Sequence, residues 1–175
     1  LNSLFSAIII FIQYLADYTQ SFQAVRYLMG NLDISSYTPI VWALPLLIVA
    51  GAAFAWLPRS LNLLTLGPDS AAARGVDVLK TQRIAFLSAS LATGAAVSLG
   101  GPIGFVGIIV PHMVRLLVGA DHRVVLPASA FLGAAFLVTC DVAARTLMSP
   151  LELPVGVITA MLGGPFFLWL LTRKR

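Results

Sequence analysis

The fold is decided by residues 83–115, which read RIAFLSASLATGAAVSLGGPIGFVGIIVPHMVR and carry no formal charge between the two terminal arginines. One bilayer crossing needs about 20 apolar residues, so this run is too long for a single transmembrane helix. Its centre, GGPIG at residues 100–104, combines glycine with proline, and that combination favours a turn. The stretch therefore predicts two membrane-spanning helices, over residues 84–99 and 103–118.

The composition of the whole chain is that of a membrane protein. Of its 175 residues, 59% are hydrophobic and 10% are charged, against about 25% charged in an average soluble protein. Mean hydropathy is +0.93, which excludes a disordered chain and leaves too little polar surface for a soluble enzyme. The net charge of +4 does not indicate nucleic-acid binding, because the bases form no stripe. Cys140 is the only cysteine, so no intrachain disulfide is possible.

Four more apolar segments complete the predicted topology, over residues 1–16, 39–57, 124–147 and 154–172. We expect helices, because a segment that crosses lipid must satisfy its own backbone hydrogen bonds. The predicted fold class is therefore an all-α integral membrane protein, a polytopic bundle of about six transmembrane segments in one domain over residues 1–175. The chain starts inside an apolar run and without methionine, so we expect it to be a fragment.

The basic residues indicate which face of the membrane each loop occupies. If the segments alternate in direction, one face receives nine bases: Arg59, Arg74, Lys80, Arg83, Arg115, Arg123, Arg173, Lys174 and Arg175. The opposite face receives Arg26 and Arg145. Cytoplasmic loops carry an excess of Lys and Arg, so the base-rich face and the C-terminus are predicted to be cytoplasmic.

Residues 58–83 form a long loop on the base-rich face, and its centre reads GPDSAAARG from Gly67 to Gly75. Proline at the first helical position and Asp69 in the first turn indicate a helix start. Arg74 suits the negative end of a helix, and Gly75 can adopt the left-handed conformation that closes one. A two-turn helix is not stable alone, so we expect it to pack on the rest of the loop or on a partner.

Glycines near the membrane centre indicate close helix packing. Gly100 and Gly104 form a GxxxG motif, and Gly101, Gly104 and Gly107 recur three residues apart. Small residues at such spacing let helices approach closely in lipid, and residues 163–165 (GGP) are predicted to interrupt the last helix. A tightly packed structural bundle and a bent helix lining a transport path fit these spacings equally well.

The two histidines do not have the spacing of a metal site. His112 and Arg115 share a helical face, and Asp121, His122 and Arg123 follow in a short loop. Histidine beside acids can serve a metal or a proton relay, but no pair has the spacing that zinc favours. The alternative places His112 and Arg115 near the lipid headgroups. Motifs for nucleophilic, zinc-hydrolase or phosphate-loop chemistry are missing, so we predict neither catalytic residues nor a metal site.

Several blocks of the chain resemble the FecCD-type permeases, which are membrane subunits of bacterial ABC importers for ferric siderophores, haem and cobalamin. The blocks are LNLLTLGPDSAAARGVDV (residues 61–78), GGPIGFVGIIVPHMVRLLVGADHRVVLPASAFLGA (100–134), CDVAAR (140–145) and ELPVGVITAMLGGPFFLWLL (152–171). The resemblance covers nearly the whole chain, and the order of its PHMVR, DHR and ELPVG blocks is very specific. Within the loop, Ala72 stands where the family usually has arginine, and Arg74 stands where it has leucine.

The resemblance implies helices five to ten of a ten-helix subunit in the bacterial inner membrane. It implies a homodimer, with the transport path along the dimer axis, two ATP-binding subunits inside and a periplasmic binding protein outside. ATP and magnesium would bind the partner, so this chain would hold no cofactor and be no enzyme. The residues expected to couple to the ATP-binding subunit are Gly67, Asp69, Ala71, Ala72, Arg74 and Gly75.

Asp141 and Arg145 are predicted to pair on one helical face at the outer end, because they lie four residues apart with the acid first. An exposed pair of this kind stabilises a helix by only about 0.3–0.5 kcal/mol. The resemblance adds a second role, in which Arg145 binds a glutamate of the docked binding protein. Asp141 would orient the guanidinium, so the two roles are compatible.

An iron-chelate permease is the first functional hypothesis, and two others remain. An ion-coupled carrier or channel needs membrane-embedded charges, and Asp141 and Arg145 alone qualify, both toward an outer end. An intramembrane enzyme is disfavoured by the missing nucleophile or metal cluster. ATP-dependent uptake by the full-length protein with its partners would discriminate among the three.

Overall fold

The computed structural model describes residues 2–15, 17–34, 36–147 and 153–173. Within these residues the chain forms nine α-helices and no β-strand, so the predicted all-α class is confirmed. The helices are α1 (Asn2–Leu15), α2 (Tyr18–Leu28), α3 (Thr38–Trp56), α4 (Pro58–Leu64), α5 (Pro68–Ala73), α6 (Val78–Gly100), α7 (Val106–Val118), α8 (His122–Thr146) and α9 (Val155–Arg173). The predicted loop bases Lys174 and Arg175, Glu152 of the ELPVG block, and both ends of the first predicted segment lie outside the described residues.

Each of the six predicted segments contains a helix, but the helices differ in length. Four of them, α3, α6, α8 and α9, are long and apolar enough to cross a membrane. The apolar helices α1 and α7 have 14 and 13 residues. Helices of that length rise about 20 Å, which is less than the ~30 Å hydrocarbon core of a bilayer.

Two helix boundaries differ from the prediction for local reasons. Helix α6 begins at Val78 instead of residue 84, because Asp77 caps it by accepting a hydrogen bond from the backbone N–H of Lys80 over 3.0 Å. Helix α7 begins at Val106 instead of residue 103, since Phe105 has a left-handed backbone with φ of 66°. The turn between α6 and α7 is therefore longer than predicted.

The predicted interruption of the last helix is wrong. Helix α9 continues through Gly163, Gly164 and Pro165 to Arg173. Proline is tolerated inside transmembrane helices because neighbouring groups satisfy the carbonyl that loses its donor. Gly163 instead allows α9 to approach Phe105 closely, since a Cβ atom at this position would overlap the Phe105 side chain.

Two helices lie in stretches that were predicted as loops. Helix α2 combines apolar residues with glutamines, threonine and Arg26, so it is too polar to be found by a search for membrane crossings. Helix α4 begins with Pro58 at its first position, where proline costs no hydrogen bond. Both helices lie beside α3 in the chain.

Contacts at the two ends of the bundle show that the segments alternate in direction. At one end, Asn31 donates its backbone N–H to Gly100 over 2.8 Å, and Gly156 donates to Gly30 over 3.3 Å. At the other end, the side chain of Asn62 contacts the segment between α7 and α8. Arg26 and Arg145 therefore lie at the first end, called the base-poor end, and the other loop bases among the described residues lie at the base-rich end.

Small buried clusters join neighbouring helices, whereas most large apolar side chains face outward. One cluster, of Cys140, Ala144, Val155 and Ile158, joins α8 to α9. A second cluster, of Val110, Val114 and Val125, joins α7 to α8. Exposed apolar surface on this scale would cause aggregation in water, but lipid solvates it. The bundle is therefore built for a membrane.

Candidate functional sites at the two ends of the bundle

The predicted short helix of the base-rich loop is present as α5, and it begins and ends where the sequence predicts. Pro68 is its first residue and Asp69 lies in its first turn. At its end, the N–H of Gly75 donates to Ala72 over 2.9 Å and the N–H of Val76 donates to Ala71 over 3.1 Å. This pair of bonds, with a φ of 80° at Gly75, is the Schellman arrangement that ends a helix.

One residue of the predicted coupling set faces inward. Ala71 is completely buried, and α5 packs on α4 and α6. Asp69, Ala72, Arg74 and Gly75 are exposed, while Gly67 is half-buried. The side chain of Ala71 therefore anchors α5 to its own chain. We define the coupling surface as the exposed residues Asp69, Ala72 and Arg74.

A polar cluster that the sequence did not predict ties α4 to the start of α8. The side-chain amide of Asn62 donates from Nδ2 to Oδ1 of Asp121 over 2.6 Å. Its Oδ1 accepts the backbone N–H of His122 over 2.9 Å and lies 2.7 Å from Nδ1 of that ring. The sequence around Asn62 carries no signal for its partners in the DHR block, which lie about 60 residues away.

Asp121 is the N-cap of α8 as well as the partner of Asn62. Its Oδ1 accepts the backbone N–H of Arg123 over 2.9 Å. The pKa of this carboxyl lies below its usual value, first because of that backbone N–H and second because of the Asn62 amide. The nearby charges of Arg123 and His122 act in the same direction. Asp121 is therefore held as a carboxylate at the positive end of the helix.

The structure does not gather the two histidines into one site. The ring of His112 lies edge-on to Phe166 of α9, with ring centroids 6.0 Å apart. His122 lies in the cluster with Asn62 and Asp121. Among the described residues, no three His, Cys, Asp or Glu side chains converge as metal ligands do. His112 therefore packs between helices.

The predicted pair at the base-poor end is present. Nε of Arg145 lies 2.9 Å from Oδ2 of Asp141, one helical turn earlier on α8. The arginine side chain is 43% exposed and the aspartate side chain 23%. The guanidinium is therefore oriented by its own helix at a surface that a partner can reach.

The predicted packing glycines divide into one that is in close contact and two that are not. A Cβ atom on Gly100 would lie 3.2 Å from the carbonyl oxygen of Asn31. A Cβ atom on Gly104 or Gly107 would meet no atom of the described chain within 4 Å. The close contact expected at these two glycines is therefore not made within the described residues. Residues 101–105 are not helical, so the GxxxG spacing does not describe one helix face.

Other glycines make the close contacts at the base-poor end. A Cβ atom on Gly101 would overlap the carbonyl of Tyr27, and one on Gly156 would overlap the carbonyl of Met29. Gly101 also has a φ of 70°, which favours glycine. The sequence contained Gly156 within the ELPVG block, but its spacing to other small residues is unremarkable. These glycines let the end of α2 lie directly against the α6–α7 turn and the start of α9.

Comparison with known proteins identifies the family. The model of the FecCD transport family matches residues 1–173. The chain belongs to the FecCD transport family. The resemblance seen in the sequence blocks is thereby confirmed, and it extends across the helices of both ends.

Individual relatives in the FecCD family are permeases of importers. The chain is 50% identical over 86% of its length to the cobalamin import system permease protein BtuC of Halobacterium salinarum, and covers 40% of that protein. It is 40% identical over its full length to the hemin transport system permease protein HmuU of Yersinia pestis, and covers 52% of it. It is 43% identical over 87% of its length to the Fe(3+) dicitrate permease FecD of Escherichia coli, and covers 48%. The chain therefore spans about half the length of the curated relatives it matches.

A solved structure shares the fold. An inward-facing metal-chelate type ABC transporter superposes with a TM-score of 0.81 at 33% identity, over 98% of this chain and 56% of that one. This FecCD chain is thus a multi-pass membrane protein with the helix arrangement of ABC importer permeases.

Proposed function

We propose that this chain forms part of the permease subunit of an ABC importer that moves an iron chelate into the cytoplasm, with a ferric siderophore as the first substrate and haem or cobalamin as alternatives. The main support for this proposal is the match to the FecCD family over residues 1–173. Two permease subunits would enclose the path in the bacterial inner membrane, with their C-termini in the cytoplasm. Separate ATP-binding subunits would hold ATP and magnesium, so this chain would carry no nucleotide site of its own.

The coupling surface of α5 supports contact with the ATP-binding subunit. Its residues Asp69, Ala72 and Arg74 are exposed at the base-rich end, and the excess of bases there supports a cytoplasmic position. Helix α5 is anchored through Ala71, and the adjacent α4 is tied to α8 through Asn62. A movement imposed on α5 would therefore be passed to a membrane-crossing helix through packed and hydrogen-bonded contacts.

The pair of Asp141 and Arg145 supports docking of a binding protein at the opposite end. Asp141 fixes the guanidinium through Nε, and Arg145 is one of two bases found at the base-poor end among the described residues. Arginine recognises carboxylates with two parallel hydrogen bonds, so a glutamate or aspartate of the partner is the expected contact.

Uptake by the intact transporter tests the proposal. The permease that contains this chain is reconstituted in vesicles with its ATP-binding subunit and binding protein, and uptake of labelled ferric siderophore, haem and cobalamin is measured. We expect uptake that requires ATP and persists when ion gradients are collapsed. Uptake that follows an ion gradient without ATP would support the carrier hypothesis instead.

A further inference from the structure

Helices α3 and α6 pack against each other along a seam that repeats every seven residues. Their mutual contact is the most extensive between any two helices of the described chain. The buried side chains of the seam are Ala43, Ala50 and Leu57 on the side of α3, and Thr81, Ser88 and Ala95 on the side of α6. A buried seven-residue repeat on two neighbouring helices is the pattern of a coiled coil.

Half-buried side chains occupy the positions between the buried ones. Leu47 and Phe54 lie on α3, and Ala85 and Ala92 lie on α6. Each stands three or four residues from the buried side chains before and after it, which is the spacing of the two core positions of a heptad. At these positions the large side chains belong to α3 and the small ones to α6, so the two surfaces can interlock.

The two helices of the seam run in opposite directions, because α3 ends and α6 begins at the base-rich end. Ala50 and Ser88 are each the middle residue of a buried set, so we place them at the same depth in the bundle. Small residues at such positions let helix backbones approach closely in lipid. These side chains are buried by the chain itself, and further protein packed around the two helices would leave them buried.

An interlocked seam resists sliding of one helix along the other. Shifting α3 along α6 by part of a turn would move Leu47 and Phe54 from small side chains onto larger ones. Packed interfaces of this kind change between discrete arrangements and do not deform continuously. The two helices should therefore respond to a force at one end by tilting together.

Both ends of the helix pair are attached to other elements. At the base-rich end, α4 and α5 make up most of the chain between α3 and α6, and α5 packs on α6. At the base-poor end, the Tyr27 hydroxyl of α2 donates to the carbonyl of Val97 in α6 over 3.0 Å. The backbone N–H of Asn31 donates to the carbonyl of Gly100 over 2.8 Å. The pair thus connects the helix of the coupling surface with the end of α2.

We propose that α3, α5 and α6 move as one rigid lever, which carries a displacement of α5 across the membrane to the end of α2. This inference rests on the proposed function, in which the ATP-binding subunit contacts α5. It adds a second route to the one through Asn62 and α8, and the second route reaches the base-poor end of the bundle. The helices tilt together along this route, and their seam stays closed throughout the transport cycle.

A disulfide across the seam tests how the two helices of the lever face each other. In the intact transporter without other cysteines, Ala50→Cys is combined with Ser88→Cys and oxidised. We expect the disulfide to form, because both residues are buried at the middle of the seam. Ala50→Cys with Ser90→Cys is the control and should stay reduced, since Ser90 lies on the exposed side of α6. Closure of the control pair, or failure of the first pair to close, would overturn the seam.

Transport by the oxidised protein then tests whether α3 and α6 slide during the cycle. The seam disulfide should leave the amount of substrate transported for each ATP hydrolysed the same before and after oxidation. A ratio that falls on oxidation and recovers on reduction would show that the helices move past each other, and would overturn the rigid lever. A wild-type transporter without ATP-dependent uptake would refute the proposed function itself, so the two failures are distinguishable.

The far end of the lever is tested by Tyr27→Phe. This change removes the hydroxyl that donates to Val97, so we expect roughly threefold less substrate transported for each ATP hydrolysed, on the scale of one hydrogen bond. Tyr37→Phe removes an exposed hydroxyl at the start of α3 and is the matched control. An unchanged ratio in Tyr27→Phe, or equal losses in both variants, would contradict delivery of the movement to α2.

Discussion

Asn62 and Asp121 are joined by a hydrogen bond of 2.6 Å between Nδ2 and Oδ1, although 59 residues separate them in the chain. Because Oδ1 of Asn62 also accepts the backbone N–H of His122, one amide holds both the cap of α8 and its first residue. Helix α4 is thereby fixed to α8 at the base-rich end. This contact connects the loop that carries α5 to the membrane-crossing part of the bundle.

Replacing Asn62 should loosen that connection. Asn62→Ala removes the donor to Asp121 and the acceptor of His122, so we expect the melting temperature of the purified transporter to fall by about 2–4 °C. Gln82→Ala, which removes an exposed amide from α6, is the control and should leave it unchanged. Equal melting temperatures for Asn62→Ala and the wild type would show that the bond stabilises nothing.

The stabilisation of the fold by the Asp121 cap should be lost at acid pH. The pKa of Asp121 is lowered in the folded protein from its usual value of 3.8. The carboxylate therefore stabilises the fold at a pH above 3.8, and that contribution is lost as the pH falls through the pKa of the folded state. Asp121→Asn can still cap a helix but does not titrate. The difference in melting temperature between wild type and Asp121→Asn should be constant near neutral pH and shrink below about pH 3.8. A difference that stays the same in acid would contradict the account.

A methyl group at Gly156 should disrupt the base-poor end. Gly156→Ala places a Cβ atom against the carbonyl of Met29, and overpacking of this kind costs typically 1–3 kcal/mol. Gly94→Ala is the matched control, because its Cβ atom meets nothing and alanine favours the helix. We expect lower thermal stability for the first variant and unchanged or higher stability for the second. The reverse order would show that α2 does not lie against α9 as described.

Charge reversal at Arg145 tests docking of the binding protein. Arg145→Glu should weaken association of the binding protein with the permease and reduce uptake, while membrane insertion stays intact. A glutamate-to-arginine change at the contacting position of the partner should restore part of the loss, since opposite charges would face each other again. Association is measured at low salt, where exposed charges act over the longest distance. Unchanged affinity at low salt would contradict a docking role for Arg145.

Features with local signals could be predicted from the sequence, and features that depend on distant partners could not. The ends of α5 are marked within one short stretch, by Asp69 in the first turn and by Gly75 with its left-handed backbone, so both ends could be predicted. Helix α2 was missed because a search for apolar crossings passes over a short polar helix. The close contact expected at Gly104 is not made by any described residue of this chain, and it stays a prediction. The spacing rule assumes a continuous helix, whereas the backbone leaves the helix at Gly101. Asn62 carries no local mark of its partners in α8.

We propose that the exposed face of α5 couples the permease to the ATP-binding subunit. The ratio of ATP hydrolysis to uptake tests this coupling most directly. Ala72 is exposed and Ala71 is completely buried one residue earlier. In the intact transporter, Ala72→Glu should leave folding and assembly in the membrane intact but uncouple ATP hydrolysis from transport. Ala71→Glu should instead destabilise the permease itself, because it buries a charge against α4 and α6. We predict that Ala72→Glu transports several-fold less substrate for each ATP hydrolysed than the wild type. A normal ratio in a well-folded Ala72→Glu transporter would contradict coupling through α5.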